Sequence, residues 1–131
     1  MVGLAKVSIN DDSDLFWAGL NEGRLLFQTC RACGAHRFPF RMSCSRCGSF
    51  EKDLTESKGC GFVYSYTVVE RPLLPGFDEP YTVVLVEVDE GVRYLGLYAG
   101  DVDPSQLIGS RVRARLNPDQ RVPVSFAPEG N

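Results

Sequence analysis

Cysteine chemistry dominates this 131-residue chain. Four of its five cysteines fall into two C-x-x-C-G knuckles, Cys30-Arg31-Ala32-Cys33-Gly34 and Cys44-Ser45-Arg46-Cys47-Gly48, with ten residues between the pairs. The two-residue gap lets each turn aim both sulfurs and its backbone N–H groups at one cation, and the following glycine permits the tight turn. The spacing points to a tetrahedral four-thiolate metal site built from Cys30, Cys33, Cys44 and Cys47. Two disulfides or four buried free thiols are the alternatives, although C-x-x-C disulfides are usually strained and redox-active. Met1 to Asn10 lacks a basic start followed by an apolar run, so no signal peptide is expected. A reducing, cytoplasmic compartment is the expectation, which favours metal. With four protein ligands the site would be closed to water and substrate, and its metal structural.

Other reactive groups form no convincing catalytic set. The sole histidine, His36, lies three residues after Cys33 and reads as an exposed loop residue, with a mixed Cys/His ligand set as the alternative. Cys60, between two glycines, reads as a small packed residue; as a nucleophile it would lack a second histidine to deprotonate it. Asp89 and Glu90 fall at a turn and read as solvated, and a glycine-rich phosphate loop with a following lysine is absent.

Charge is unevenly spread around a net of −3. Arg24, Arg31, Arg37, Arg41 and Arg46 occur with no acid between Arg24 and Cys47, whereas six arginines face ten acids from Gly61 onward. The basic stretch can partly neutralise a metal–thiolate centre of about −2, or bind phosphate, or both. No stretch approaches the roughly 18 apolar residues of a membrane span, so no membrane partner is expected.

These residues must be positioned by a mainly β chain. Asp11, Asp12 or Ser13 can cap a short helix carrying Leu15, Phe16, Trp17 and Leu20, which Asn21 and Gly23 would stop. Phe16 and Trp17 either pack on the core or face a partner. Leu25 to Gln28 leads into the first knuckle as a strand, Phe38-Pro39-Phe40 bridges toward the second, and polar Glu51 to Lys58 reads as a linker. Strands rich in β-branched and aromatic residues follow at Gly61–Val69, Tyr81–Val88 and Val92–Tyr98, with Asp89-Glu90-Gly91 as a hairpin turn. Asp103 to Leu107 reads as one helical turn, Ser110 to Leu116 as a strand with arginine outside, and Val122 to Phe126 as the last strand. Five strands with a helical element between the third and fourth is the order of an OB-type barrel. Arg111, Arg113 and Arg115 form either a solvated face or a basic binding stripe. The predicted organisation is a helical segment over 1–23, a metal ribbon over 24–58 and an OB-fold barrel over 59–131.

Taken in order, these features resemble a family in which a rubredoxin-like zinc ribbon precedes an OB-fold, long catalogued as a domain of unknown function. The matching features are Phe16-Trp17, Gly23-Arg24-Leu25, the two knuckles ending in Cys47-Gly48-Ser49, and Gly59-Cys60-Gly61-Phe62-Val63-Tyr64-Ser65-Tyr66-Thr67. Pro80-Tyr81, Glu87-Val88-Asp89-Glu90-Gly91 and Ile108-Gly109 also fit, while Phe40 replaces an expected proline before Arg41. The resemblance implies a non-catalytic accessory subunit. It would bind a thiolase or thiolase-like aldolase, stabilise it or help form its acyl-CoA site, and serve acyl-CoA catabolism such as steroid side-chain or aromatic-compound degradation. Zn2+ is the implied metal, with iron open because such knuckles hold either ion. Arg37 and Arg41 become candidate contacts to CoA phosphates. The loop Arg71-Pro72-Leu73-Leu74-Pro75-Gly76-Phe77 becomes either a partner anchor or a cover for the barrel mouth. A single-stranded nucleic-acid binder using Tyr64, Tyr66, Tyr94 and Tyr98 is the alternative, disfavoured by the acidic barrel half. A rubredoxin-like electron carrier comes third.

Overall fold

The computed structural model describes residues 14–71, 79–120 and 122–129. Helix α1 (Asp14–Asn21) opens the described chain and ends where Gly23 adopts a positive φ of 76°. Its Gly19 and Leu20 are buried, and Leu20 joins the main core. The candidate capping residues Asp11, Asp12 and Ser13 lie outside the described residues.

A three-stranded antiparallel sheet follows, with β1 (Leu26–Cys30) between β2 (His36–Arg37) and β3 (Lys52–Glu56). Strand β3 corrects the expected linker over 51–58. It pairs with β1 along its whole length, from Leu26 opposite Glu56 to Cys30 opposite Lys52. The sheet is too small to bury both faces of β3, so Asp53, Leu54 and Glu56 stay exposed and the strand reads as polar. Only Ser57 to Gly59 remain between this sheet and the next strand.

The barrel contains β4 (Cys60–Val69), β5 (Tyr81–Val88), β6 (Arg93–Tyr98), β7 (Arg111–Leu116) and β8 (Val124–Pro128). It closes in the order β4-β5-β6-β8-β7, the OB arrangement expected, with a 3-10 turn at Pro104–Gln106 between β6 and β7. The last strand begins two residues later than expected. Pro123 has no N–H for a ladder, and its carbonyl instead accepts from Asn117 to close the β7–β8 turn.

Alternation along the barrel strands sends Val63, Val84, Val86, Val88, Val112 and Phe126 inward, all nearly inaccessible to solvent. Leu20 of α1 and Phe27 of β1 belong to the same cluster. Helix, ribbon and barrel therefore share one core. At the junction, Phe16 packs at a tilt against Phe38, with centroids 4.8 Å apart, and Phe38 meets Tyr94 at 4.5 Å. Phe40 is buried beside Phe16 at 5.9 Å and enlarges this aromatic cluster. Gly61 marks another close approach: a Cβ there would collide with the backbone of Glu87 on β5.

Candidate metal centre

The two knuckles have one geometry. In the first, Gly34 N–H donates to Cys30 C=O at 2.9 Å and Cys30 N–H donates to Ala35 C=O at 2.8 Å. In the second, Gly48 N–H donates to Cys44 C=O at 2.8 Å and Cys44 N–H to Ser49 C=O at 2.9 Å. Both closing glycines have φ near 80°, a conformation that costs other residues strain. β1 delivers the first knuckle, and the Arg31–Glu51 backbone bond ties it to the chain that leaves the second.

All four sulfurs lie within 4.8 Å of one another, with Cys30 Sγ 3.5 Å from Cys47 Sγ and Cys33 Sγ 3.7 Å from Cys44 Sγ. Four sulfurs placed tetrahedrally at about 2.3 Å from one zinc stand about 3.8 Å apart. Disulfide sulfurs would stand about 2.05 Å apart, so paired disulfides do not describe this centre. The donor set and its spacing fit a structural zinc ion. The Cys33 backbone N–H lowers the Cys30 thiol to about 6, with burial opposing and the Ala32 N–H assisting. Cys44 is lowered likewise, first by the Arg46 N–H, 3.4 Å from its sulfur, and then by that of Cys47. The turns thus favour thiolates, the form that binds metal, at Cys30 and Cys44. At Cys47 the Ser49 N–H also lowers the thiol, but the crowding of the Cys30, Cys33 and Cys44 sulfurs together with burial outweighs it and raises the thiol to about 11.

His36 lies outside this group, and it lies on strand β2 rather than in the expected loop. Its Nδ1 is 2.9 Å from Thr29 Oγ1 and its ring meets the edge of Phe27. Cys60 is also apart from the centre. Burial and then the Glu129 carboxylate push its thiol up, which keeps it protonated.

The basic stretch divides. Arg24 pairs with Glu56 at 3.1 Å and Arg31 with Asp53 at 2.8 Å, so acids of β3 answer two of its arginines. Arg37 Nη2 donates to Arg41 C=O at 3.3 Å, while its Nε and Nη1 are buried without a hydrogen-bond partner. Arg46 and Arg41 are exposed. On the barrel, Arg111 is held between Asp89 at 2.8 Å and Glu129 at 3.0 Å, and Arg113 and Arg115 face solvent.

The four tyrosines do not assemble a stacking platform. Tyr94 is 2% exposed and its hydroxyl is bonded inside the protein, Tyr66 and Tyr98 pack against the core, and Tyr64, though exposed, has the Arg93 guanidinium over its ring at 3.8 Å. Apart from Arg71, the proposed anchor loop lies outside the described residues. Among the described residues, no helix is long and apolar enough to cross a membrane.

A closed-thiolate ribbon followed by a five-stranded OB barrel defines a two-module zinc protein. The chain belongs to the ChsH2 (DUF35) family: residues 17–53 match the ChsH2 rubredoxin-like zinc ribbon domain and residues 54–117 the ChsH2 C-terminal OB-fold domain. It is 43% identical over 86 residues to a probable enoyl-CoA hydratase alpha subunit of Thermomonospora curvata. Over 112 residues it is 35% identical to the 3-oxo-4,17-pregnadiene-20-carboxyl-CoA hydratase alpha subunit of Mycobacterium tuberculosis. The matches span 66% and 85% of this chain but only 27% and 35% of those relatives. A solved structure described as Ltp2-ChsH2(DUF35) aldolase superposes with a TM-score of 0.84 at 35% identity, covering 95% of this chain and 100% of that one.

Proposed function

We propose that this chain is a non-catalytic accessory subunit of a thiolase-fold enzyme, a thiolase or thiolase-like aldolase, acting on acyl-CoA thioesters. In this reading it stabilises the enzyme or helps form its acyl-CoA site, in catabolism such as steroid side-chain degradation. Cys30, Cys33, Cys44 and Cys47 hold zinc as scaffolding, and the reducing cytoplasm suits that ligand set. The observation that carries the reading is the match over 95% of this chain to a chain of the structure described as Ltp2-ChsH2(DUF35) aldolase. A relative described as a DUF35 domain-containing scaffold protein, from Methanothermobacter thermautotrophicus, is 38% identical over 87 residues and supports a role without chemistry of its own. The arrangement of side chains is compatible: a ligand set with no open position offers no Lewis-acid site.

Co-expression with a thiolase-fold subunit from the same genome tests the proposal. A stable complex active on an acyl-CoA, with each component inactive alone, is the expected result. Separate elution together with full activity of the enzyme in the absence of this chain overturns it.

A further inference from the structure

An apolar groove of about 590 Å3 runs where helix, ribbon and barrel meet. Its walls are Phe16 and Trp17 of α1, Phe38 and Pro39 after β2, and Leu85 and Leu95 of the barrel, with Arg93 also in the lining. The barrel wall is unusual in its pattern. Val84, Val86 and Val88 point inward, so the registered pairs Val83–Leu97, Leu85–Leu95 and Glu87–Arg93 occupy the outer face. A solvated outer face of an antiparallel sheet normally alternates to polar residues. Here it presents four aliphatic side chains and then an ion pair.

Exposure and charge together select the kind of occupant. Leu95 is 64% exposed although it lines the groove, so this wall stands open to solvent. A macromolecular surface can cover it. Among the described residues Arg93 bonds Glu87 through Nε alone, at 3.1 Å, and its guanidinium carbon sits 3.8 Å from the Tyr64 ring centroid, with its side chain 46% exposed. That leaves its Nη edge available to a carboxylate, in the bidentate manner arginine favours.

We propose that this groove seats the partner enzyme subunit: an apolar segment of that subunit fills it, and an aspartate or glutamate beside the segment meets Arg93. This rests on the accessory-subunit reading above. Phe16 and Trp17 then serve two purposes, with one side packed on the core and the other lining the interface. The exposed Leu95 becomes an anchor contact of the kind that dominates interface energies.

The test uses the full chain and the thiolase-fold subunit from the same genome that co-purifies with it, with affinity measured by surface plasmon resonance. Leu95→Glu is expected to weaken the complex about 30-fold or more, and Arg93→Glu about tenfold. Ile108→Glu, at a site just as exposed but outside the groove, is expected to change it less than about twofold. Unchanged melting temperatures separate these effects from unfolding. If the wild-type complex forms and both groove variants bind normally, the docking assignment is wrong and the accessory reading survives. If no wild-type complex forms, both fall. A dimer of the isolated chain that Leu95→Glu dissociates would assign the groove to self-association and overturn the proposal. So would a fluorescent long-chain fatty acid that binds the groove and is not displaced by the partner subunit.

Discussion

The Tyr94 hydroxyl donates a 2.8 Å hydrogen bond to the backbone carbonyl of Leu26, joining the barrel strand β6 to the ribbon strand β1 across 68 residues of sequence. Tyr94 is fully buried, and that burial raises its hydroxyl far above the ordinary range, so it remains a donor at every accessible pH. Tyr94→Phe keeps the packing against Phe38 and Phe16 but strands a buried carbonyl. The expected loss is about 1–3 kcal/mol in urea unfolding, with little change in metal content. A loss below about 0.3 kcal/mol would show that water satisfies the carbonyl equally well.

Glu90 fixes the short connection between the two modules from the other side. Its carboxylate accepts from Ser57 Oγ at 2.8 Å and from Lys58 N–H at 2.9 Å, and Ser57 Oγ in turn accepts from Gly59 N–H at 2.9 Å. Two donors converge on one side chain of a hairpin turn, and a third, the Gly59 N–H, is held by the serine it orients. Removing it in Glu90→Ala is expected to cost about 1.5–3 kcal/mol, the range for hydrogen bonds to a charged group. Hydrogen exchange should locate the change: the Lys58 and Gly59 amides lose protection, while the Val84 and Val86 amides keep theirs up to the new global limit.

Which parts of this architecture were legible beforehand follows from the range of the interactions involved. The metal centre was legible because each knuckle is local: two cysteines, a glycine and a turn of a few residues define it. The strands of the barrel were legible from β-branched runs such as Tyr81 to Val88. Strand β3 was not, because Lys52-Asp53-Leu54-Thr55-Glu56 owes its conformation to β1, over twenty residues away, and not to its own apolar pattern. The groove was hidden for a different reason. In Thr82-Val83-Val84-Leu85-Val86 both faces are apolar, so period-two reasoning cannot say which side meets the core. Only barrel closure assigns Val84 and Val86 to the interior and leaves Leu85 outside. Phe40 gained its meaning only from α1, whose Phe16 it touches.

Metal removal should have consequences well beyond the ribbon. Structural zinc contributes roughly 10–16 kcal/mol of binding free energy in small ribbons, as much as the whole stability of a typical domain, about 5–15 kcal/mol. Because Phe27 of β1 lies in the barrel's own core cluster, loss of the ribbon exposes one end of that core. Cys33→Ser, or dialysis of the wild type against a strong chelator, is therefore expected to give an unstable or insoluble chain. Trp17, packed at this junction, supplies the readout: its emission should move to the red as the metal leaves. Elemental analysis of the purified wild type should find one zinc per chain, and a metal-free protein with an unchanged melting temperature would refute the structural role.

The Arg111 cluster predicts an acid limb in the stability curve that is separable from that of the metal. Arg111 bonds to both carboxylate oxygens of Asp89, at 2.8 and 3.1 Å, and to Glu129 at 3.0 Å, linking β7 to the β5–β6 turn and the end of β8. Its hydrogen bonds hold both carboxyls below their ordinary values of 3.8 and 4.5. With the folded values lowered, the unfolded chain binds more protons in this range, so the contribution is complete above the ordinary values and is lost as pH falls through the lowered ones. These groups are exposed, so the effect is modest and shrinks in high salt. Urea midpoints of wild type and Arg111→Ala should therefore differ more at pH 6 than at pH 3.5. Protonation of the thiolates weakens metal binding over the same acidic range, so elemental analysis at both pH values must first establish that the two proteins retain equal zinc. A difference that stays constant with pH would mean that Arg111 acts through packing of its aliphatic stem and not through its two carboxylates.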